Sequence, residues 1–231
     1  LARAAVRADD RQTADVAMSK LPASAKESAD YHALLADIAF AQRNGVEMEH
    51  QLSEAARLDP SNRDYQMRLA ALRLGATDRD LRSKGKETLT EMQNDPALRR
   101  EATRFLAEDA LRQNTTLAAV ELARQLNSFP DKTYADRLLL LSALDAAKDN
   151  GFAAFLEEMK KSSGDDPEQA AALLTWFNVH KREAEAIAWS GTLPPGILGQ
   201  KMVQIALSDS FVGAKDWNGL QRLVNSGNWG T

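Results

Sequence analysis

The sequence predicts an all-α fold, an α-α superhelix of stacked antiparallel helix pairs, on three observations. The first is composition. Of 231 residues, 44% are apolar and only 6% aromatic, and Ala, Leu, Arg, Glu, Gln and Asp carry most of the chain, which favours helix almost everywhere and offers no credible strand. The second is a pairing of amphipathic stripes between Tyr31 and Pro60. Leu34, Leu35, Ile38 and Ala39 recur at spacings of three and four, and beyond an Arg43-Asn44-Gly45 turn Met48, Leu52, Ala55 and Ala56 do the same. Such spacing gathers side chains on one helix face. Neither stripe can be buried by its own helix, so each must be covered by its partner and by a neighbouring pair. The third is a beat of prolines: Pro22, Pro60, Pro96, Pro130, Pro167 and Pro195 stand 38, 36, 34, 37 and 28 residues apart. Proline is excluded from helix interiors but suits the first turn, so each is expected to mark the start of a new pair.

Taken in order, residues 1–22 read as a partial repeat whose second helix carries Val16, Ala17 and Leu21. Residues 29–60 hold the two stripes above. In 61–96 the first helix has Tyr65, Leu69 and Leu72 and the second Leu81, Leu89 and Met92, with Gly75-Ala76-Thr77-Asp78 as the turn. In 97–130 the stripes are Leu98, Ala102, Phe105, Leu106 and Ala110, then Ala119, Leu122, Ala123 and Leu126. In 131–167 they are Tyr134, Leu138, Leu141 and Leu144, then Phe155, Leu156 and Met159 after an Asn150-Gly151 turn. Around Pro167, Gly164 is placed to end one helix, Asp166 to cap the next, and Gln169 to complete a capping box. The pair in 168–194 is short, Leu173, Leu174 and Phe177 facing Ile187 and Ala188. Ser190 to Gly196, with its Pro194-Pro195 pair, is the least helical stretch, a loop or a hinge. In 195–231, Leu198, Met202, Ile205 and Ala206 form a first helix and Trp217, Leu220 and Val224 a partial second. The whole chain is expected to be a single array, with both ends cut from a longer protein.

The segment from Ala29 resembles a tetratricopeptide repeat, a helix-turn-helix unit of about 34 residues. Counting from Ala29, Leu35 and Ala36 fall at the family's Leu-Gly pair, and Met48 at the first small residue of the second helix. Leu52 takes the aromatic position, Ala55 is the second small residue, and Leu58-Asp59-Pro60 ends the repeat. His32 replaces the family's Trp, Ala39 its Tyr and Met48 its Ala. The resemblance implies a right-handed superhelix acting as a non-catalytic scaffold, the first helices of successive repeats lining a concave groove that holds a protein or peptide. Family members that clamp acidic chaperone tails carry Lys and Asn at the fifth and ninth positions. Ala33 and Asp37, then Met67 and Ala71, stand there instead, which sets that subtype aside. The second, sixth and ninth positions select Asp30, Leu34, Asp37, Asp64, Arg68 and Ala71 as the candidate groove. That lining suits a segment carrying Lys or Arg beside an apolar anchor, although Asp30 and Asp64 also suit helix N-terminal dipoles without any ligand.

Other classes are narrowed by what the sequence lacks. The net charge of −4 comes from 29 basic and 33 acidic residues scattered along the chain, so no basic stripe points to nucleic acid. The absence of cysteine removes disulfides, thiolate metal sites and a Cys nucleophile. Leu138–Leu141 is the most apolar run, but flanking charges exclude a membrane span. His32, His50 and His180 form no ligand pair on one helix face. Gly85-Lys86 does not end a phosphate loop, since Asp80 and Glu87 stand where Gly and Ser or Thr are required. Asp145–Gly151 is not a calcium loop, because Lys148 takes an acidic ligand position. Asn114-Thr115-Thr116 fits a glycosylation sequon. Adjacent carboxylates such as Glu157-Glu158 diverge around a helix, and Asp165-Asp166 reads as a cap. No catalytic residue, metal or cofactor is therefore expected. Trp176, Trp189, Trp217 and Trp229 all lie in the last quarter, as core or as a partner surface. The alternative to a scaffold is a helical arm of a larger enzyme or envelope assembly. Compartment stays open, because the chain starts at Leu1 and an upstream signal or anchor would precede it.

Overall fold

Small polar residues ahead of the apolar stripes start the helices, because a side-chain oxygen satisfies N–H groups that the first turn leaves open. Ser28, Asn44, Asn62, Asp78, Thr133 and Asp166 all act in this way. The computed structural model describes residue 4 and residues 11–226, and within them every regular element is a helix. The order is α1 (Arg11–Ser19), a 3-10 turn (Ala23–Glu27), α2 (Ala29–Ala41), α3 (Gly45–Leu58), α4 (Arg63–Leu74), α5 (Arg79–Met92), α6 (Arg99–Arg112) and α7 (Thr116–Ser128). There follow α8 (Tyr134–Ala147), α9 (Phe152–Ser163), α10 (Pro167–Val179), α11 (Glu183–Ser190), the one-turn α12 (Pro195–Leu198), α13 (Lys201–Gly213) and α14 (Trp217–Ser226). The expected all-α array of neighbouring helix pairs is present. Its prolines sit differently from expectation: only Pro167 and Pro195 take a first helical position, while Pro60, Pro96 and Pro130 lie in the connecting turns. A turn between two helices tolerates a missing N–H as well as a first turn does.

The turns inside the pairs keep a stricter time than the prolines. Arg43, Asn114, Lys148, Lys181 and Lys215 adopt left-handed backbone with φ between 53° and 59°. After each, the next N–H reaches back to a carbonyl five residues earlier: Asn44 to Ala39, Thr115 to Ala110, Asp149 to Leu144, Arg182 to Phe177 and Asp216 to Phe211, every one at 2.9 Å. This is the Schellman closure of a helix C-terminus. From Asn114 onward the left-handed residues stand 34, 33 and 34 residues apart, so the period survives where the stripes lost their signature residues. Of the two expected turns, the first, Arg43-Asn44-Gly45, contains its left-handed residue, whereas the second turns at Lys148, just ahead of Asn150-Gly151. Gly45 opens α3 and Gly151 has φ −76°, and it is Arg43 and Lys148 that carry the positive φ. The left-handed region costs a side chain roughly 1–2 kcal/mol, and glycine escapes that cost while losing more backbone entropy. Lys181→Gly is thus expected to raise stability by about 0.5–1 kcal/mol and Tm by roughly 1–3 °C, measured by thermal circular dichroism; a lower Tm would refute the strain.

The described chain divides into two compact units, one ending at Phe129 and one beginning at Pro130. In the first, α2 packs along α3, α4 along α5 and α6 along α7, while α3 meets α4 and α5 meets α6. Ala33, Ala36 and Ala55 are completely buried, which lets the helices of the first pair approach closely. Tyr65 closes the Ala33–Ala55 contact, and Leu69 covers Ala36 and Leu52. One pair therefore does supply the cover for the stripe of the pair before it. A further cluster gathers Met67, Leu74, Leu89, Met92 and Leu106. Val16, expected on an inward stripe, is instead half exposed.

The second unit is centred on α10, whose Phe177 is fully buried between Trp176 and Trp189. α10 packs closely along α13, where the Asn178 amide donates to the Ala206 carbonyl at 2.8 Å and Ser210 donates to Asn178 Oδ1 at 2.7 Å. This contact decides the phase of α13. Val203, Ala206, Leu207 and Ser210 face inward, whereas Met202 and Ile205 are 44% and 48% exposed; Leu198 belongs to α12. Of the expected stripe, Ala206 is inward and accepts the Asn178 bond, while Met202 and Ile205 give way to Val203 and Leu207, one residue out of step. In α14, likewise, Leu223 packs on the core and Val224 faces out. The Ser190–Gly196 stretch is anchored through buried Leu193, and Pro195 opens α12. At the start of α10, Asp166 caps as expected, but Gln169 donates to the Asp166 carboxylate at 2.8 Å, and the Asp166 N–H goes to the Ser163 carbonyl at 3.3 Å instead of to the Gln169 side-chain oxygen. The reciprocal capping box lies at Thr133 and Asp136.

Successive turns of this unit are tied by a charge pair. Arg182, at the start of α11, donates to Asp145 of α8 at 2.7 Å and to Glu185 at 2.6 Å, and lies over the Phe152 ring at 4.7 Å. Burial by itself would raise the Asp145 pKa; the hydrogen bond and charge of Arg182, with Lys148 beside it, outweigh burial and hold it below the ordinary value. A folded-state pKa below the unfolded value, about 3.9, stabilises fully above that value and is lost as pH falls through the folded one. Asp145→Asn is expected to cost about 1–2 kcal/mol at pH 7, with the difference from wild type shrinking toward pH 3. Urea titrations at the two pH values measure this, and a pH-independent difference would refute it.

Candidate protein-binding surface

The six groove candidates lie on α2 and α4, the first helices of consecutive pairs, and three of them are occupied in bonds that cross between or flank those helices. Arg68 of α4 forms an ion pair with Asp37 of α2, each side chain about a quarter exposed (26% and 27%). Asp30 accepts the Tyr65 hydroxyl at 2.9 Å. Asp64 is exposed in the first turn of α4, whose N-cap is Asn62, and Asp30 occupies the first turn of α2, so both also complement helix dipoles. Leu34 is only 8% exposed and serves the core more than an open surface. Ala71 is half-buried.

Tyr65 was missed as a surface partner because its ring reads as core, and its ring is indeed buried while its hydroxyl reaches Asp30. The signal was present in the spacing. Asp30 and Tyr65 stand 35 residues apart and Asp37 and Arg68 31 apart, close to one repeat period, which brings equivalent turns of neighbouring helices side by side. A second set of links, between α3 and α4, joins Arg73 to Glu49 at 3.1 Å. The face is acid-rich, and its one base is neutralised by Asp37.

Two of the three histidines are held in local contacts. His32 Nδ1 pairs with Gln51 Oε1 at 2.6 Å, and Gln51 in turn donates to Glu47. His180 stacks on Trp176 with ring centroids 4.1 Å apart and contacts the Trp176 carbonyl. Among the described residues no three His, Asp or Glu side chains converge as metal ligands, and no helix is long and apolar enough to cross a membrane. Trp176 and Trp189 are core, Trp217 is 61% exposed, and Trp229 lies outside the described residues. Asn114 of the sequon takes a left-handed turn position. Compared with known proteins, the chain matches no family model and no curated protein.

Proposed function

We propose that the chain is a non-catalytic, tetratricopeptide-like scaffold that binds a protein segment across the face of α2 and α4. The observation that carries this reading is the ladder of bonds between successive first helices, Asp30 to Tyr65 and Asp37 to Arg68. Links of this kind hold two repeats in one relative position, and a surface held rigid before binding loses less entropy when a ligand arrives. With Asp30, Asp37 and Asp64 against Arg68, the ligand best matched is an extended or helical segment carrying Lys or Arg beside an apolar anchor.

The ion pair permits a clean test. Exchanging its ends, Asp37→Arg with Arg68→Asp, keeps the bond and inverts the local field. The matching control is Glu54→Arg with Arg57→Glu, an exposed pair at 2.8 Å on α3. Crosslinking capture with this protein as bait, read by mass spectrometry, is expected to lose its partner by about tenfold or more with the α2/α4 exchange and to keep it with the control. Equal capture by both exchanges would refute this face.

A further inference from the structure

A different surface of the first unit has the opposite charge. On α5, Arg79, Arg82 and Lys86 recur at spacings of three and four, so they share one face, and they border a cavity of about 400 Å³ closed by α6 and α7. Its floor is apolar, made by Leu106 and Ala110 of α6 with Ala118 and Leu122 of α7. The one acid in its lining, Asp109, is taken by Arg112 at 3.1 Å. Among the described residues none of the three cations is in a salt bridge. Arg82 has only a long contact to the Thr77 carbonyl, 3.4 Å, and its buried Nε–H meets no protein acceptor.

In a chain of net charge −4, three unneutralised cations around an apolar hollow are a local reversal of sign. The larger hollow of the second unit, about 600 Å³, lacks this character: Lys160 and Lys161 there stand among Glu157, Asp165 and Glu185, and Lys160 is paired with Glu157 at 2.8 Å. A ligand carboxylate can reach the exposed charged ends of Arg79 and Lys86, while its neighbouring apolar side chain leaves water for the floor. The volume suits one Leu- or Phe-sized side chain with its flanking backbone.

We propose that the α5–α6–α7 cleft is a docking site for an acidic protein segment that inserts an apolar anchor, with Arg79, Arg82 and Lys86 holding the carboxylates on either side. The ligand is taken to be a protein segment because the proposal rests on the scaffold reading, but the site is separate from the α2/α4 face and opposite in charge preference. Two segments of different charge can then be held by one unit.

The test is fluorescence anisotropy on the full chain with a fluorescein-labelled peptide Glu-Asp-Leu-Glu-Glu-Leu-Asp, against a control with Ser in place of both Leu. Wild type is expected to bind the first at least about tenfold tighter than the control. Arg82→Gln with Lys86→Gln is expected to weaken binding by about tenfold or more. Ala118→Trp, at an exposed position, fills the hollow without changing charge and is expected to weaken it similarly, with circular dichroism showing the same helix content for all variants. No binding by wild type, equal binding of the two peptides, or full binding by Ala118→Trp would each overturn the proposal. Such failure would not touch the α2/α4 reading, because the exchange experiment there uses a different face and the captured partner in place of this peptide.

Discussion

Phe177→Ala is expected to lower the stability of the second unit by about 3–5 kcal/mol, the largest effect of any single truncation proposed for this chain. Phe177 heads the fully buried side chains, and its ring lies 5.5 Å from Trp176 and 6.1 Å from Trp189, centroid to centroid. Neighbours on α9, α11 and α13 surround the same cluster, which also holds Met159, Leu173, Ala186 and Val203. They cannot all collapse into the space a ring leaves, so the lost transfer energy is joined by a cavity cost. Tryptophan fluorescence during urea unfolding measures this without interference, because all four tryptophans follow Pro130. A change below about 1 kcal/mol would mean that the cluster is loosely packed.

Gly85→Ala is expected to destabilise the first unit by about 1–3 kcal/mol, although alanine in a helix interior ordinarily gains about 1 kcal/mol over glycine. The sign turns on distance. A Cβ at Gly85 would stand 2.6 Å from the Ala70 carbonyl oxygen and 2.9 Å from Arg73 Cβ. Backbone on α4 cannot step aside as a flexible side chain does, so α5 would have to move away from it. No tryptophan precedes Pro130, and far-ultraviolet circular dichroism during thermal unfolding is the appropriate measurement. An increase in Tm would show that the two helices are farther apart than described. This glycine gives a packing reason for a residue whose pairing with Lys86 had only a failed phosphate motif to offer.

The pairing of helices was legible because it rests on local chemistry. Stripes such as Leu52–Ala55 and Ala102–Leu106–Ala110 have only one apolar face to offer, and caps such as Asp78 and Asp166 act within a single turn. The candidate surface was legible in part. Counting in repeat register found Asp37 and Arg68 but not that they neutralise each other, since that depends on how far α2 stands from α4. The basic cleft was missed for a related reason: Arg79, Arg82 and Lys86 read as scattered surface charge until α6 and α7 supply a floor.

What the sequence by itself determined, then, is the helical class, the order of the pairs and most of the residues turned inward, because period and capping act over a few residues. Tertiary structure decided the choices that local chemistry leaves nearly equal. On α13 two apolar stripes compete, and Asn178 bonded to Ala206 and Ser210 accompanies the Val203–Leu207 phase. Where a pair closes with a Schellman turn a left-handed residue is needed at a fixed place, so Arg43, Asn114 and three lysines adopt it and nearby Gly45 and Gly151 do not. The energy of packing two helices exceeds the roughly 1–2 kcal/mol that a side chain loses in such a conformation, and position in the array outranks residue preference.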